Sequence, residues 1–181
     1  MVLLGGTESD CLVLGGVQIV DAARARFAAH GFARTSMPDI VEASGLSVGA
    51  IYRYFKGKDE IVAAICEQAG QALPAELTAE SVHDFLQHIR TMAREKGHAR
   101  LVAQIYAEAA VAPGLATLVH CQLQEMREAV AALLPDRDPV HAARVAEAFV
   151  ALCHGYTQQL AVRGDLDPAP YAAALVAIAE S

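Results

Sequence analysis

The chain has 181 residues, 54% of them hydrophobic and 19% charged, and carries a net charge of −7. That much apolar surface buries a core in one or two small units and excludes a disordered chain, while no run reaches the roughly 18 apolar residues that a bilayer span needs. Cys11, Cys66, Cys121 and Cys153 are widely spaced without a C-x-x-C pair, so reduced thiols in a cytoplasmic protein are expected rather than a disulfide framework.

Residues 1–17, MVLLGGTESDCLVLGGV, follow no regular period. Their two Gly-Gly pairs argue against a stable helix, so an N-terminal arm is expected, without the basic n-region of a signal peptide. Ile19, Ala23 and Phe27 then recur at i, i+4 and i+8, with Arg24 and Arg26 off that stripe. The spacing predicts a first helix over Gln18 to His30, closed by Gly31.

The stretch TSMPDIVEASGLSVGAIYRYFKGKDEI, Thr35 to Ile61, reads as two short helices joined by a tight turn. Ser36 suits an N-cap, Asp39 the acidic position of a capping box, and Pro38 the first turn, where a missing N–H costs little. Met37, Ile40 and Val41 give that helix one apolar face, and Ser44-Gly45 stops it. Ser47 caps the next helix, on which Ile51 and Phe55 face one way and Gly49, Ala50, Tyr52 and Arg53 the other. Aromatic rings and an arginine opposite an apolar stripe suit a helix lying in the DNA major groove.

Thr35, Asp39, Gly45, Ser47, Gly49, Ala50, Ile51, Tyr52, Tyr54, Phe55 and Lys58 together resemble the pattern of the tetracycline-repressor (TetR) family. With the helix ahead of it, the likeness covers about a quarter of the chain, the size of a three-helix DNA-binding unit. The resemblance implies an all-α protein: a helix-turn-helix DNA-binding domain over 18–57, after an arm over 1–17, and a helical effector-binding and dimerisation domain over 58–181. Family members often carry basic residues ahead of the first helix, where this chain is apolar and acidic.

Within the turn-helix unit, Arg53 suits a guanine O6/N7 edge and Ala50 a thymine methyl, while Gly49 lets the backbone near the groove floor. The Tyr52 and Tyr54 hydroxyls and Lys58 suit phosphates, as do Thr35 and Ser36 beside their helix N-terminus. Ser47 and Val48, opening the second helix, complete the expected contact set. At −7 the whole chain is repelled by DNA, so binding needs a local asymmetry. Residues 18–60 supply one, with six cations against five acids, whereas residues 61–181 hold eight cations and fourteen acids.

After Gly57, Asp59 and Glu60 favour the N-terminus of a fourth helix whose core face is Ile61, Val62, Ile65 and Ala69. Further apolar stripes follow at Val82–Met92, Leu101–Ala109 and Val119–Leu133. Breaks at Gly97, Pro113-Gly114, Pro135–Pro139 and Gly164–Pro168 divide a bundle of about nine helices in all. Ala148, Ala151 and Gly155 form a small-residue stripe in which a mid-helix glycine costs about 1 kcal/mol unless another backbone comes close. With Leu152, and with Tyr171 and Leu175 of the last helix, they are expected to pair across a two-fold axis, the alternative being packing inside one chain.

Gly45-Leu46-Ser47-Val48-Gly49 matches the G-x-S-x-G elbow of hydrolases, but that elbow needs a strand before the serine and none is predicted. Ser47 is therefore read as a cap, and no catalytic residue is expected. His120-Cys121 and Cys153-His154 lack zinc-type spacing, because neighbours on a helix diverge by about 100°, so neither a metal nor a cofactor is expected. Phe85, Ile89, Met92, Tyr106, Met126 and Tyr156 are candidates to line an effector cavity, although a Met/aromatic set at helical spacing is also ordinary core.

These expectations describe a homodimeric, ligand-responsive transcriptional regulator, most often a repressor in the family. Its partners would be a pseudo-palindromic duplex and an unidentified small molecule, with no membrane. The alternative is a helical small-molecule-binding protein or enzyme whose N-terminal unit is only structural, in which Arg53→Ala leaves function intact.

Overall fold

The computed structural model describes residues 8–70, 73–134 and 137–180, with the side chains of 8–14, 66–70 and 96 set aside. Among the described residues there are nine helices and no strand. None of these helices is long and apolar enough to cross a membrane. The chain divides into two units, Met1–Ile65 and Cys66–Ser181.

The first unit is built on α1, which runs Glu8–His30. It is therefore helical from residue 8, and the arm expected through residue 17 is corrected for its second half; residues 1–7, with Gly5-Gly6, lie outside the described residues. Gly15-Gly16 sits inside the helix because another element approaches it there at close range. The expected stripe is fully buried: Ile19, Ala23 and Phe27 are each 0% exposed. Phe27 stacks at a tilt on Phe32, ring centres 5.1 Å apart.

Next come α2 (Met37–Ser44) and α3 (Val48–Tyr54), both ending where their caps dictate. Asp39 N–H donates to the Ser36 hydroxyl, and the Asp39 carboxylate accepts from Ser36 N–H at 2.7 Å and from its O–H at 2.6 Å, a complete capping box. These bonds hold the Asp39 carboxyl below its ordinary range. Gly45, at φ 67, takes the left-handed conformation that stops α2, and its N–H donates back to the Glu42 carbonyl. Ser47 then caps α3 by accepting from Ala50 N–H at 3.2 Å.

The unit is closed by long side chains of α1. Gln18 donates to the Ser44 carbonyl at 2.8 Å, fixing the end of α2. Buried Arg24 reaches the Ile65 carbonyl of α4 (Lys58–Gly70) at 3.4 Å, and Arg26 lies 3.3 Å from Glu42. The first unit thus takes in the start of α4, through Ile65.

The second unit holds α5 (Ala79–Lys96), α6 (His98–Ala109), α7 (Pro113–Ala132), α8 (Pro139–Arg163) and α9 (Ala169–Glu180). Gly97, at φ 63, ends α5 and starts α6. Asp138 caps α8 by accepting from Val140 and His141 N–H, inside the break expected at 135–139, of which residues 135 and 136 lie outside the described residues. Its core joins Val82, Phe85 and Leu86 of α5 to Phe149, Cys153 and Tyr156 of α8 and Leu175 of α9. Arg90 of α5 clamps Asp165 in the α8–α9 loop with two hydrogen bonds.

Candidate nucleic-acid interface

On α3 the buried side chain is Ile51, 0% exposed, and it anchors the helix while the opposite face meets solvent. Gly49 and Arg53 are exposed, Val48 is 58% exposed and Tyr52 48%, and Ala50 is half-buried. Two apolar or aromatic side chains held half open beside an arginine are the elements of a groove-reading surface. Phe55, expected in the core, leaves the helix in extended conformation as its C-cap and is only partly buried.

A methyl group built on Gly49 meets nothing within 4 Å among the described residues. The glycine is thus dispensable to the fold of the chain and leaves open space in front of α3. Ser47 stays exposed at the start of the helix, with its hydroxyl oxygen capping Ala50 N–H. The segment before Ser47 is helix α2, not a strand, so the elbow geometry of a hydrolase is absent here.

Three of the expected contacts face inward. Thr35 is 2% exposed and donates its hydroxyl to the Gly31 carbonyl at 2.9 Å, so it ties the α1–α2 turn and offers no phosphate contact. The Lys58 ammonium donates to the Phe32 carbonyl at 3.0 Å and lies 4.4 Å from the Phe32 ring centre. Tyr54 is half-buried, its ring against Gly15 of α1 and 5.5 Å from the Arg53 guanidinium. Ser36 is exposed, but its hydroxyl is engaged with Asp39, whose charge occupies the α2 N-terminus where a phosphate was expected.

The cation count of the unit changes accordingly. Arg24, Arg26 and Lys58 serve internal partners, and the cations with exposed side chains are Arg53, Lys56 and Arg34, whose Nε also donates to the His30 carbonyl at 2.9 Å. Lys56 was counted among the six cations but left out of the expected contacts, because it lies two residues beyond the helix, off the wheel that picked out Tyr52 and Arg53.

In the second unit, Phe85 and Tyr156 of the expected effector set are core residues, Ile89 and Met126 pack against that core, and Met92 is partly buried. The Tyr156 hydroxyl donates to the Leu166 carbonyl at 3.1 Å, and burial pushes its pKa up to about 12. Tyr106 stacks on His154, ring centres 4.1 Å apart. The sequence weighed His154 only with Cys153 as a metal-ligand pair and gave no sign of this ring contact; its Nε2 is buried without a hydrogen-bond partner among the described residues, and burial lowers its pKa. Neighbouring Cys153 is buried, its thiol pushed up to about 12, whereas Cys121 is exposed.

Of the expected pairing surface, Ala151 is exposed and Ala148, Leu152 and Gly155 are partly so. Tyr171 packs its ring 4.8 Å from Tyr156. Leu175 is 0% exposed within its own chain, so its side chain is not open to a partner there. Among the described residues a methyl group on Gly155 meets nothing within 4 Å, so no close approach among them accounts for that glycine.

Residues 19–65 match the family model described as bacterial regulatory proteins, tetR family. The HTH-type transcriptional regulator TtgR of Pseudomonas putida is 44% identical over 50 residues, which are 28% of this chain and 24% of TtgR. The match thus spans about a quarter of that relative's length. Among solved structures, Salmonella enterica GusR superposes with a TM-score of 0.71 at 25% identity, covering 96% of this chain and 95% of GusR. The SmeT–triclosan complex superposes with a TM-score of 0.69 at 21% identity, covering 92% and 90%.

Proposed function

We propose, from the match of residues 19–65 to the family model of bacterial regulatory proteins, tetR family, that the chain is a sequence-specific DNA-binding transcriptional regulator of that family. It acts as a homodimeric repressor that an effector bound in the C-terminal bundle releases from DNA. The observation that carries this is α3 itself, seated on buried Ile51 and turning Gly49, Tyr52 and Arg53 to solvent. Arg34, Arg53 and Lys56 add the exposed positive charge that an acidic protein needs near a duplex.

Two copies are required because one short helix reads too few bases. Two-fold pairing through Ala148, Ala151, Leu152 and Gly155 of α8 and Tyr171 of α9 presents two α3 helices to half-sites about 34–36 Å apart on a pseudo-palindromic duplex. Gly155 supports this pairing, since none of the described residues fills the space that the missing side chain leaves.

Release requires that the effector bind the DNA-incompetent conformer better, by about 1.4 kcal/mol for each tenfold loss of DNA affinity. The Tyr106–His154 pair supplies an aromatic face and a neutral imidazole. Together these suit an uncharged aromatic ligand with one hydrogen-bonding group.

The test is a gel-shift titration of the full-length protein on a duplex it has itself selected from a random pool. Selection of a palindromic sequence, and its loss on Arg53→Ala, is the expected result. Failure to select any sequence would leave only the alternative of a helical small-molecule protein with a structural N-terminal unit.

A further inference from the structure

We infer that Gly15 and Tyr54 form a positioning device for Arg53, so that the fit of α1 against α3 sets how sharply the protein discriminates among bases. The inference rests on α3 reading DNA, and concerns what holds its reading residue in place.

The starting point is a residue that looks misplaced. A helix interior disfavours glycine, yet Gly15 lies well inside α1. Its surroundings explain it. A methyl group on Gly15 would stand 2.5 Å from the Tyr54 Oη, 2.9 Å from Cζ and 3.3 Å from Cε2, where carbon contacts prefer about 3.5–4.0 Å. Among the described residues the same methyl at Gly16 would meet only Tyr54 Cδ1, at 3.9 Å, an ordinary contact. The close fit is therefore specific to one glycine.

The Tyr54 ring that fills this notch is also the platform for Arg53, whose guanidinium carbon lies 5.5 Å from the ring centre. Arginine has a long, many-rotamer side chain, and a bidentate bond to a guanine edge demands one orientation of its planar fork. Stacking on a fixed ring restricts that freedom before DNA arrives. Tyr54 is half-buried, so it acts through Arg53 and not as the phosphate contact its position in the motif suggested.

Adding a side chain at residue 15 must move the ring, the most mobile party at the contact, and the ring takes the arginine's platform with it. An interaction of this kind corresponds to about a two- to fivefold change in affinity.

A double-mutant cycle on the full-length protein tests this, with the duplex selected by the wild-type protein as probe. Gly15→Ala is expected to weaken binding about two- to fivefold and to relax preference at the base pair that Arg53→Ala also relaxes. Gly16→Ala, which changes helix propensity equally, is expected to bind as wild type. In an Arg53→Ala background Gly15→Ala should cost nothing further, which a general disturbance of α1 would not reproduce. Circular dichroism of each variant checks that the helices are intact. The inference is overturned if Gly15→Ala binds and discriminates like wild type, or if its loss persists undiminished without Arg53. Should Arg53→Ala itself leave DNA recognition unchanged, the reading of α3 fails, and this inference falls with it.

Discussion

The Lys58 ammonium points into its own unit, donating to the Phe32 carbonyl at 3.0 Å with the Phe32 ring 4.4 Å away. Two residues earlier, Lys56 is exposed. Two lysines two residues apart thus have different surroundings, one bracing the fold and one open to solvent.

Lys58→Ala is expected to lower the stability of the N-terminal unit by about 1–2 kcal/mol, since it deletes a hydrogen bond and a cation–ring interaction. Lys56→Ala should leave thermal unfolding unchanged and flatten the salt dependence of DNA binding, by about 0.9 in the log–log slope for each phosphate that is no longer neutralised. Melting curves and salt titrations on both variants read the two effects separately.

Gly49→Ala removes a helix-disfavouring residue where a methyl group has open space. The free protein should become slightly more stable, by up to about 1 kcal/mol. Operator affinity should nevertheless fall, because the added methyl stands between α3 and the groove floor. Opposite signs in a melt and a binding titration are the expected signature.

Gly155→Leu likewise fills space that none of the described residues occupies. A single chain tolerates it, while a second helix packed on Ala151 and Gly155 does not. Sedimentation equilibrium should show a shift from dimer to monomer with helical content retained, and operator binding should weaken with it.

Arg90 donates to both carboxylate oxygens of Asp165 and so holds its pKa down to about 2, below the ordinary 3.8. A depressed carboxylate pKa contributes stability that is fully present above the unfolded value and lost as pH falls through the folded one. Denaturant unfolding should therefore lose stability between about pH 4 and pH 2, and Asp165→Asn should flatten that part of the profile while being less stable at neutral pH.

The turn between α2 and α3 was legible because its signals are local. Ser36, Asp39, Gly45 and Ser47 act on backbone groups within three or four residues, so their spacing alone locates both helix ends. The stripe of Ile19, Ala23 and Phe27 was legible for the same reason, since a helix repeats every 3.6 residues whatever it packs on. What stayed hidden depends on residues distant in sequence. Gly15 reads as a helix breaker until Tyr54 is placed beside it. Lys58 and Thr35 read as phosphate ligands until the Phe32 and Gly31 carbonyls are seen to take their hydrogens. Leu175 has the period of an exposed stripe on α9, and only the packing of α8 against α9 shows it covered. Arg24 and Arg26 count as charge for DNA in a composition, and in the structure they count as ties between helices.

Guanine methylation interference on the selected duplex tests the central claim most directly. If Arg53 holds the N7 and O6 of one guanine in each half-site, methylation of that guanine blocks the wild-type protein and is without effect on Arg53→Ala. The same interference pattern in both proteins, or none in either, would contradict it.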